Sequence, residues 1–334
     1  MPTLPTEEEP VDEEIEASTQ LMLTLEMHEG PINSMALGSG SAIVTGSEDG
    51  TIRTVKIEDG SGITLDNGSG SVNSIALSPD SRFLAAGLEN GSVEIWQWEI
   101  EALITILEGT GNSVNVVAWS NNEEEPLLAT GDVAGIILVW DALAEDVLFQ
   151  LEGHEGPVTT ISWIPSFLND GRGFLASASD DGTVRLWDIE AEQSVLVLDE
   201  HEGPVNDLLW AGEIVLSGGA DGTVRFWGLA GESLQSISAE LIAVLNHQEA
   251  VNAFAIVESS GYVVSGSADG ALSVWNLASD VAPTEPQFTL RGHAGSVNAI
   301  ISLDGVIISG GDDGTVRVWD LPTAESAPES NGQR

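Results

Sequence analysis

The sequence predicts an all-β protein assembled from seven copies of one unit, and three observations predict it. First, the heptapeptide Asp-Gly-Thr-Val-Arg-x-Trp occurs three times, ending at Trp187, Trp227 and Trp319, and four weaker copies ending at Val55, Trp96, Trp140 and Trp275 fall into the same register. Second, these seven end points lie 40 to 48 residues apart, which is the period of a repeat array. Third, each unit breaks into short alternating or apolar runs, such as 158–163, 174–179 and 183–187, separated by turn residues such as Asp180-Asp181-Gly182. No stretch sustains a helical period.

Composition narrows the function classes. The 334 residues carry 54 acidic and 9 basic side chains, a formal charge of −45. A phosphate backbone binds through Lys and Arg, and anionic membrane surfaces require the same sign, so neither nucleic acid nor membrane is an expected partner. A hydrophobic fraction of 42% supplies a core despite the charge. There is no cysteine, hence no thiolate nucleophile and no Cys-ligated metal. The acidic start lacks the basic, apolar pattern of a secretion signal and no apolar run is long enough to span a bilayer, which reads as a soluble, cytoplasmic protein, with the nucleus left open. The chain divides into an acidic tail over 1–19, expected to be disordered, the repeat array over 20–321, and a flexible Ser/Ala/Pro/Glu-rich tail over 322–334.

The repeats resemble the WD-repeat family, whose units carry a Gly-His pair upstream and a Trp-Asp pair at the end. Here the pairs are Gly153-His154 with Trp187-Asp188, and Gly292-His293 with Trp319-Asp320; other units keep part of the pattern. The resemblance covers about residues 21 to 320. It implies a seven-bladed β-propeller of four-stranded antiparallel blades, in which the outer strand of each blade belongs to the next sequence repeat. By that offset the run from Gln20 to Glu26 closes the ring as the outer strand of the last blade.

The resemblance also implies a buried hydrogen-bond network. Its four full sets are His154, Ser177, Asp181 and Trp187; His201, Ser217, Asp221 and Trp227; His247, Ser265, Asp269 and Trp275; and His293, Ser309, Asp313 and Trp319. The first unit has His28, Thr45 and Asp49 but Val55 for Trp. The second (Gly68, Ala86, Asn90) and third (Thr110, Thr130, Ala134) lack the set, so those blades are expected to rely on apolar packing. Arg53, Arg185, Arg225 and Arg317, each two residues before the unit's end, are expected to make inter-blade contacts to neighbouring carboxylates. Lys56, Arg82, Arg172, Arg291 and Arg334 are scattered and form no basic patch.

All five histidines occupy the network register, and there is no P-loop, His-Glu-x-x-His or nucleophile elbow. The expectation is therefore no enzyme, no cofactor, no metal and no catalytic residue. A different register points to binding. Five residues after the His position stand Asn33, Asn73, Asn115, Thr159, Asn206, Asn252 and Asn298, at the start of the predicted innermost strand. Either they form a ring that reads a ligand at the channel mouth, or each bonds locally to its own turn. Glu48, Glu89, Asp180 and Asp312, in turns at the same end, would make that rim acidic. The preferred reading is a scaffold that binds a basic or polar peptide there, as a chaperone or assembly factor for a basic protein and a member of a larger complex. Salt adaptation, with a partner that is not basic, is the alternative reading of the charge, and a propeller enzyme is third.

Overall fold

The computed structural model describes residues 21–57, 60–66, 68, 70–164, 174–231, 236–257, 260–277 and 283–321. The tails expected over 1–19 and 322–334, together with Gln20, Arg172 and Arg334, lie outside the described residues.

Seven four-stranded antiparallel sheets form a ring, a β-propeller, as the repeats imply. The inner strands of blades 1 to 7 are Ile32–Leu37, Val72–Leu77, Val114–Trp119, Val158–Trp163, Val205–Ala211, Val251–Val257 and Val297–Leu303. The outer strands are Thr64–Asp66, Ala102–Glu108, Asp146–Leu151, Gln193–Leu198, Ser238–Asn246, Phe288–Arg291 and, for blade 7, Leu21–Glu26. That last strand pairs with Thr315–Asp320 in the register Leu23↔Val318, Thr24↔Arg317 and Leu25↔Val316. The N-terminal strand therefore covers an edge that the last repeat alone would leave open.

The core is a set of layers between neighbouring blades. Val264, Leu272 and Val274 of blade 6, for example, pack on Val297, Ile300 and Ile307 of blade 7, all nearly or fully buried. Close approach between blades depends on small residues in the second strands. A methyl group on Gly310 would sit 2.9 Å from both Ile32 and Met35, so only glycine admits blade 1 against blade 7 at this distance. A larger residue there would hold the ring open at its seam.

Every inner strand carries a β-bulge at one repeated position. The register with the second strand slips between Ile32 and Ser34, Val72 and Ser74, Val114 and Val116, Val158 and Thr160, Val205 and Asp207, Val251 and Ala253, and Val297 and Ala299. The extra residue is always the Asn or Thr of the sequence register. A bulge turns its side chain out of the alternating pattern, and that redirection builds the channel mouth.

Candidate functional site

At the channel mouth, the seven bulge side chains line a cavity of about 220 Å³ together with Ser34, Ser74, Thr160 and Asp207. Asn73 and Asn298 bond within their own blades, to Ser71 Oγ and Asp312, but every one of the seven also reaches the next blade. Asn33 Nδ2 donates to the Val72 carbonyl of the next blade (3.0 Å), Asn73 to Val114 (3.0 Å), Asn115 to Val158 (3.3 Å) and Asn206 to Val251 (2.9 Å). The Thr159 hydroxyl donates to the Val205 carbonyl (2.6 Å), Asn252 to Ser296 Oγ (3.3 Å), and Asn298 to the Ile32 carbonyl (3.1 Å). Local bonding, one of the two readings of this register, is thus only part of the arrangement: the bulge aims each side chain sideways, and the seven make a belt around the ring.

A second set of contacts runs beside the belt. The amides of Ile75, Val117 and Phe254 donate to Ser34 Oγ, Ser74 Oγ and Asp207 Oδ2 of the preceding blades. Asp207 Oδ1 also accepts from the Leu208 amide (2.8 Å). Asp207 opens partly to the narrow channel but is otherwise walled by protein, and burial pushes its carboxyl up to about 7 against the two amide bonds. The sequence register of the Asn side chains stops one residue short of Asp207. Its signal was the one carboxylate among the seven inner strands.

The carboxylates Glu48, Glu89, Asp180 and Asp312 are exposed at this end. Their placement follows from a repeated backbone bond: the amides of these residues donate to the carbonyls of Pro31, Ser71, Pro157 and Ser296, just before the inner strands. Asp312 also accepts from Asn298 Nδ2 (2.8 Å) and the Ser296 amide (3.2 Å), so rim and belt are joined in blade 7. Burial and the adjacent Asp181 raise the Asp180 pKa.

Behind the rim, three of the four implied networks are complete. His154 Nδ1 faces Asp181 at 2.9 Å and its Nε2 faces Ser177 Oγ at 2.7 Å, while Trp187 Nε1 donates to the same Oγ at 2.8 Å. The same contacts recur around Ser217 and Ser309. Burial opposes ionisation of Asp181, but bonds from Thr183, the Glu155 amide and His154 outweigh it and bring the carboxyl down to about 2. Burial lowers the pKa of His154, His201 and His293 despite their Asp partners.

Several expectations are corrected here. In blade 6, His247 Nε2 meets Ser265 Oγ (3.0 Å) and Trp275 donates to that oxygen, but Asp269 takes Ser267 Oγ, the Ala271 amide and Arg291 Nη1 instead of the imidazole. Blade 3 is not held by apolar packing alone. The Thr110 hydroxyl donates to the buried Asp132, which accepts the Ala134 and Ile136 amides, and Trp140 Nε1 donates to Thr130 Oγ1 at 3.1 Å. The turn carboxylate has moved two positions upstream. In blade 2, buried Glu94 accepts from Trp96 Nε1 at 2.9 Å, a residue that the sequence reading passed over. Arg225 and Arg317 turn onto Asp221 and Asp313 of their own blades, and Arg225 also meets Glu200, in the segment that leads from the outer strand of blade 4 into blade 5, at 3.7 Å. The reason is geometric: a side chain four residues after the turn Asp lies beside it on the same hairpin.

Among the described residues no three His, Cys, Asp or Glu side chains converge as a metal site, and no helix is long and apolar enough to cross a membrane.

Comparison with known proteins follows this architecture. The family model described as "WD domain, G-beta repeat" matches residues 19–54, 62–97, 145–188, 192–228, 239–276 and 284–320. The inner three strands of blade 3, with its displaced carboxylate, lie in the unmatched stretch. The probable cytosolic iron-sulfur protein assembly protein 1 of Kluyveromyces lactis is 31% identical over 139 residues, 38% of this chain and 41% of that protein. The nuclear distribution protein nudF 1 of Talaromyces marneffei is 32% identical over 97 residues, 28% of this chain and 21% of that protein. The histone-binding protein MSI1 of Saccharomyces cerevisiae is 31% identical over 87 residues, 25% of this chain and 20% of that protein. The chain thus spans less than half the length of these curated relatives. Six matched segments spread over most of the sequence, on seven blades closed into one ring, show that the chain belongs to the WD domain, G-beta repeat family.

Proposed function

We propose that this propeller is a non-enzymatic cytoplasmic scaffold that receives a basic or polar peptide segment at its channel mouth, as an assembly factor or chaperone within a larger complex. One observation carries the reading: the belt uses the Asn donors to link blades, which leaves acceptors at the mouth. Asn33, Asn115, Asn206 and Asn298 keep their Oδ1 atoms outside the belt, Asp207 lies beside them, and Glu48, Glu89, Asp180 and Asp312 stand at the rim. An acceptor-rich, acidic mouth favours a cationic or donor-rich segment and steers it in. Partial similarity to a histone-binding protein and to a cytosolic assembly protein supports the same reading. A protein of this charge that is built for a dilute cytoplasm folds fully near 0.15 M salt, where the Debye length is about 8 Å.

The test is calorimetry with a polycationic peptide alongside circular dichroism melts from 0.01 to 1 M salt. Binding at 0.15 M should fall steeply with salt, and Glu48→Gln, Glu89→Gln and Asp180→Asn should weaken it more than the same changes at Glu123, Glu124 and Glu125 on the opposite, hairpin side. Incomplete folding at 0.15 M, with no preference among acidic sites, would favour salt adaptation instead.

A further inference from the structure

Blade 6 holds a slot that blades 5 and 7 fill with an arginine of their own. In blade 5, Arg225 Nε donates to Thr223 Oγ1 (3.2 Å) and its Nη2 reaches Asp221 Oδ2 (3.5 Å). In blade 7, Arg317 makes the same two contacts with Thr315 and Asp313, at 3.3 and 3.5 Å. The guanidinium also lies beside the residue before the network histidine. A methyl on Gly292 would be 2.7 Å from Arg317 and 3.0 Å from the Trp319 ring, and one on Gly153 would be 3.2 Å from Arg185 and 3.3 Å from Trp187. Three walls therefore define the slot: the turn Asp, the Thr two residues on, and the edge of the Trp.

Blade 6 keeps Asp269 and Trp275 in these positions but has Ala271 for the Thr, Ser273 for the Arg, and Asn246 where blades 4 and 7 have Gly and blade 5 has Glu200. Where the guanidinium would lie there is a cavity of about 550 Å³, lined among others by His247, Glu249, Asp269, Ser273, Trp275 and Arg291. The size is that of a ligand pocket. Loss of the filling also explains the opened network, because Asp269 no longer has the Thr that holds its sisters toward the imidazole. It pairs instead with Arg291, whose side chain is 62% exposed. Such a surface pair is worth little and is readily exchanged. His247, pushed down to about 4 by burial, is neutral at pH 7 and does not repel a cation. Glu249 and Glu285 add negative charge at the entrance.

We propose that the blade 6 cavity binds an arginine side chain of a partner peptide, whose guanidinium takes the place that Arg225 and Arg317 occupy in blades 5 and 7. A planar fork of donors can bond the Asp269 carboxylate and lie along Trp275 at once; a lysine ammonium supplies only a point charge. The site stands on its own cavity and on the sister blades as template, so it is independent of the channel-mouth reading.

The test uses the whole chain, nitrogen-15 labelled, titrated with N-acetyl-arginine amide while the Trp275 indole N–H and the His247 ring are followed by nuclear magnetic resonance. Saturable shifts at both residues are expected, with N-acetyl-lysine amide binding at least about fivefold more weakly. Asp269→Asn should weaken the arginine probe by about fivefold or more. The double variant Ala271→Thr, Ser273→Arg rebuilds the sister-blade filling and should abolish the shifts while raising the melting temperature. Glu48→Gln and Glu89→Gln should leave the probe unaffected. No saturable shift, equal binding of the lysine probe, or full binding to Asp269→Asn or to the rebuilt slot would each overturn the proposal.

Discussion

Asn298 Nδ2 lies 3.1 Å from the carbonyl oxygen of Ile32, a residue 266 positions away in the chain. Through this one hydrogen bond the belt at the channel mouth passes from the last blade to the first. The same seam is joined at the outer edge by Leu21–Glu26 and in the core by Gly310 against Ile32 and Met35.

Closure should therefore depend on the first strand. Deleting residues 1–27 removes the partner of Thr315–Asp320 and exposes a sheet edge together with Val316 and Val318. The melting temperature should drop strongly, whereas deletion of 1–17 should leave it unchanged. Equal melting of both truncations with the intact chain would refute the closure.

The belt predicts a graded cost. Asn115→Ala removes one inter-blade bond that leaves the Val158 carbonyl open to the channel, worth about 1 kcal/mol. Asn298→Ala removes two bonds, one to Ile32 and one to Asp312, and should cost more. Urea melts that rank the two in the opposite order would show that the belt does not carry the seam.

In the buried networks, Ser177→Ala should be more harmful than Trp187→Phe. The alanine takes away the hydroxyl that donates to His154 Nε2 and accepts from Trp187 Nε1, at roughly 1–3 kcal/mol for each orphaned group. The phenylalanine removes one donor from a hydroxyl that keeps its imidazole. Trp140→Phe, whose Thr130 partner is not bonded to any histidine, should cost least of the three. Chemical denaturation orders them directly.

Asp207 sets a pH trend opposite to that of the network histidines. Its folded pKa of about 7 lies above the ordinary value of 3.8, so ionisation is harder in the folded state, and stability is lost as pH rises from about 4 to 7. Asp207→Asn keeps one acceptor oxygen and never ionises. It should match the parent near pH 5 and exceed it at pH 8 by roughly 1–3 kcal/mol. His154, His201 and His293 act the other way: their lowered pKa values mean stability present above 6.5 and lost as pH falls through the folded values. A stability curve for Asp207→Asn that stays parallel to the parent from pH 5 to 8 would place that carboxylate in water.

The sequence by itself determined the number of blades, the His, Ser, Asp and Trp positions of three networks, and the closing strand Leu21–Glu26. Those features are legible because each repeats at fixed spacing, and their partners lie within one unit, such as His154 and Asp181, or follow from the one-strand offset. Only the tertiary structure decided what lies between units. Whether Asn33 bonds its own turn or the Val72 carbonyl depends on the direction in which a bulge turns its amide, and composition carries no record of that direction. Asp207 is likewise special only because the next blade brings the Phe254 amide to it and excludes most of the water. In blade 3 the carboxylate moved from the position of Ala134 to Asp132, and a backbone had to be built before Thr110 could be seen to reach it. The open slot of blade 6 was present in the sequence as Ala271 and Ser273, but a missing side chain becomes a cavity only when its surroundings are held in place by the blades on either side.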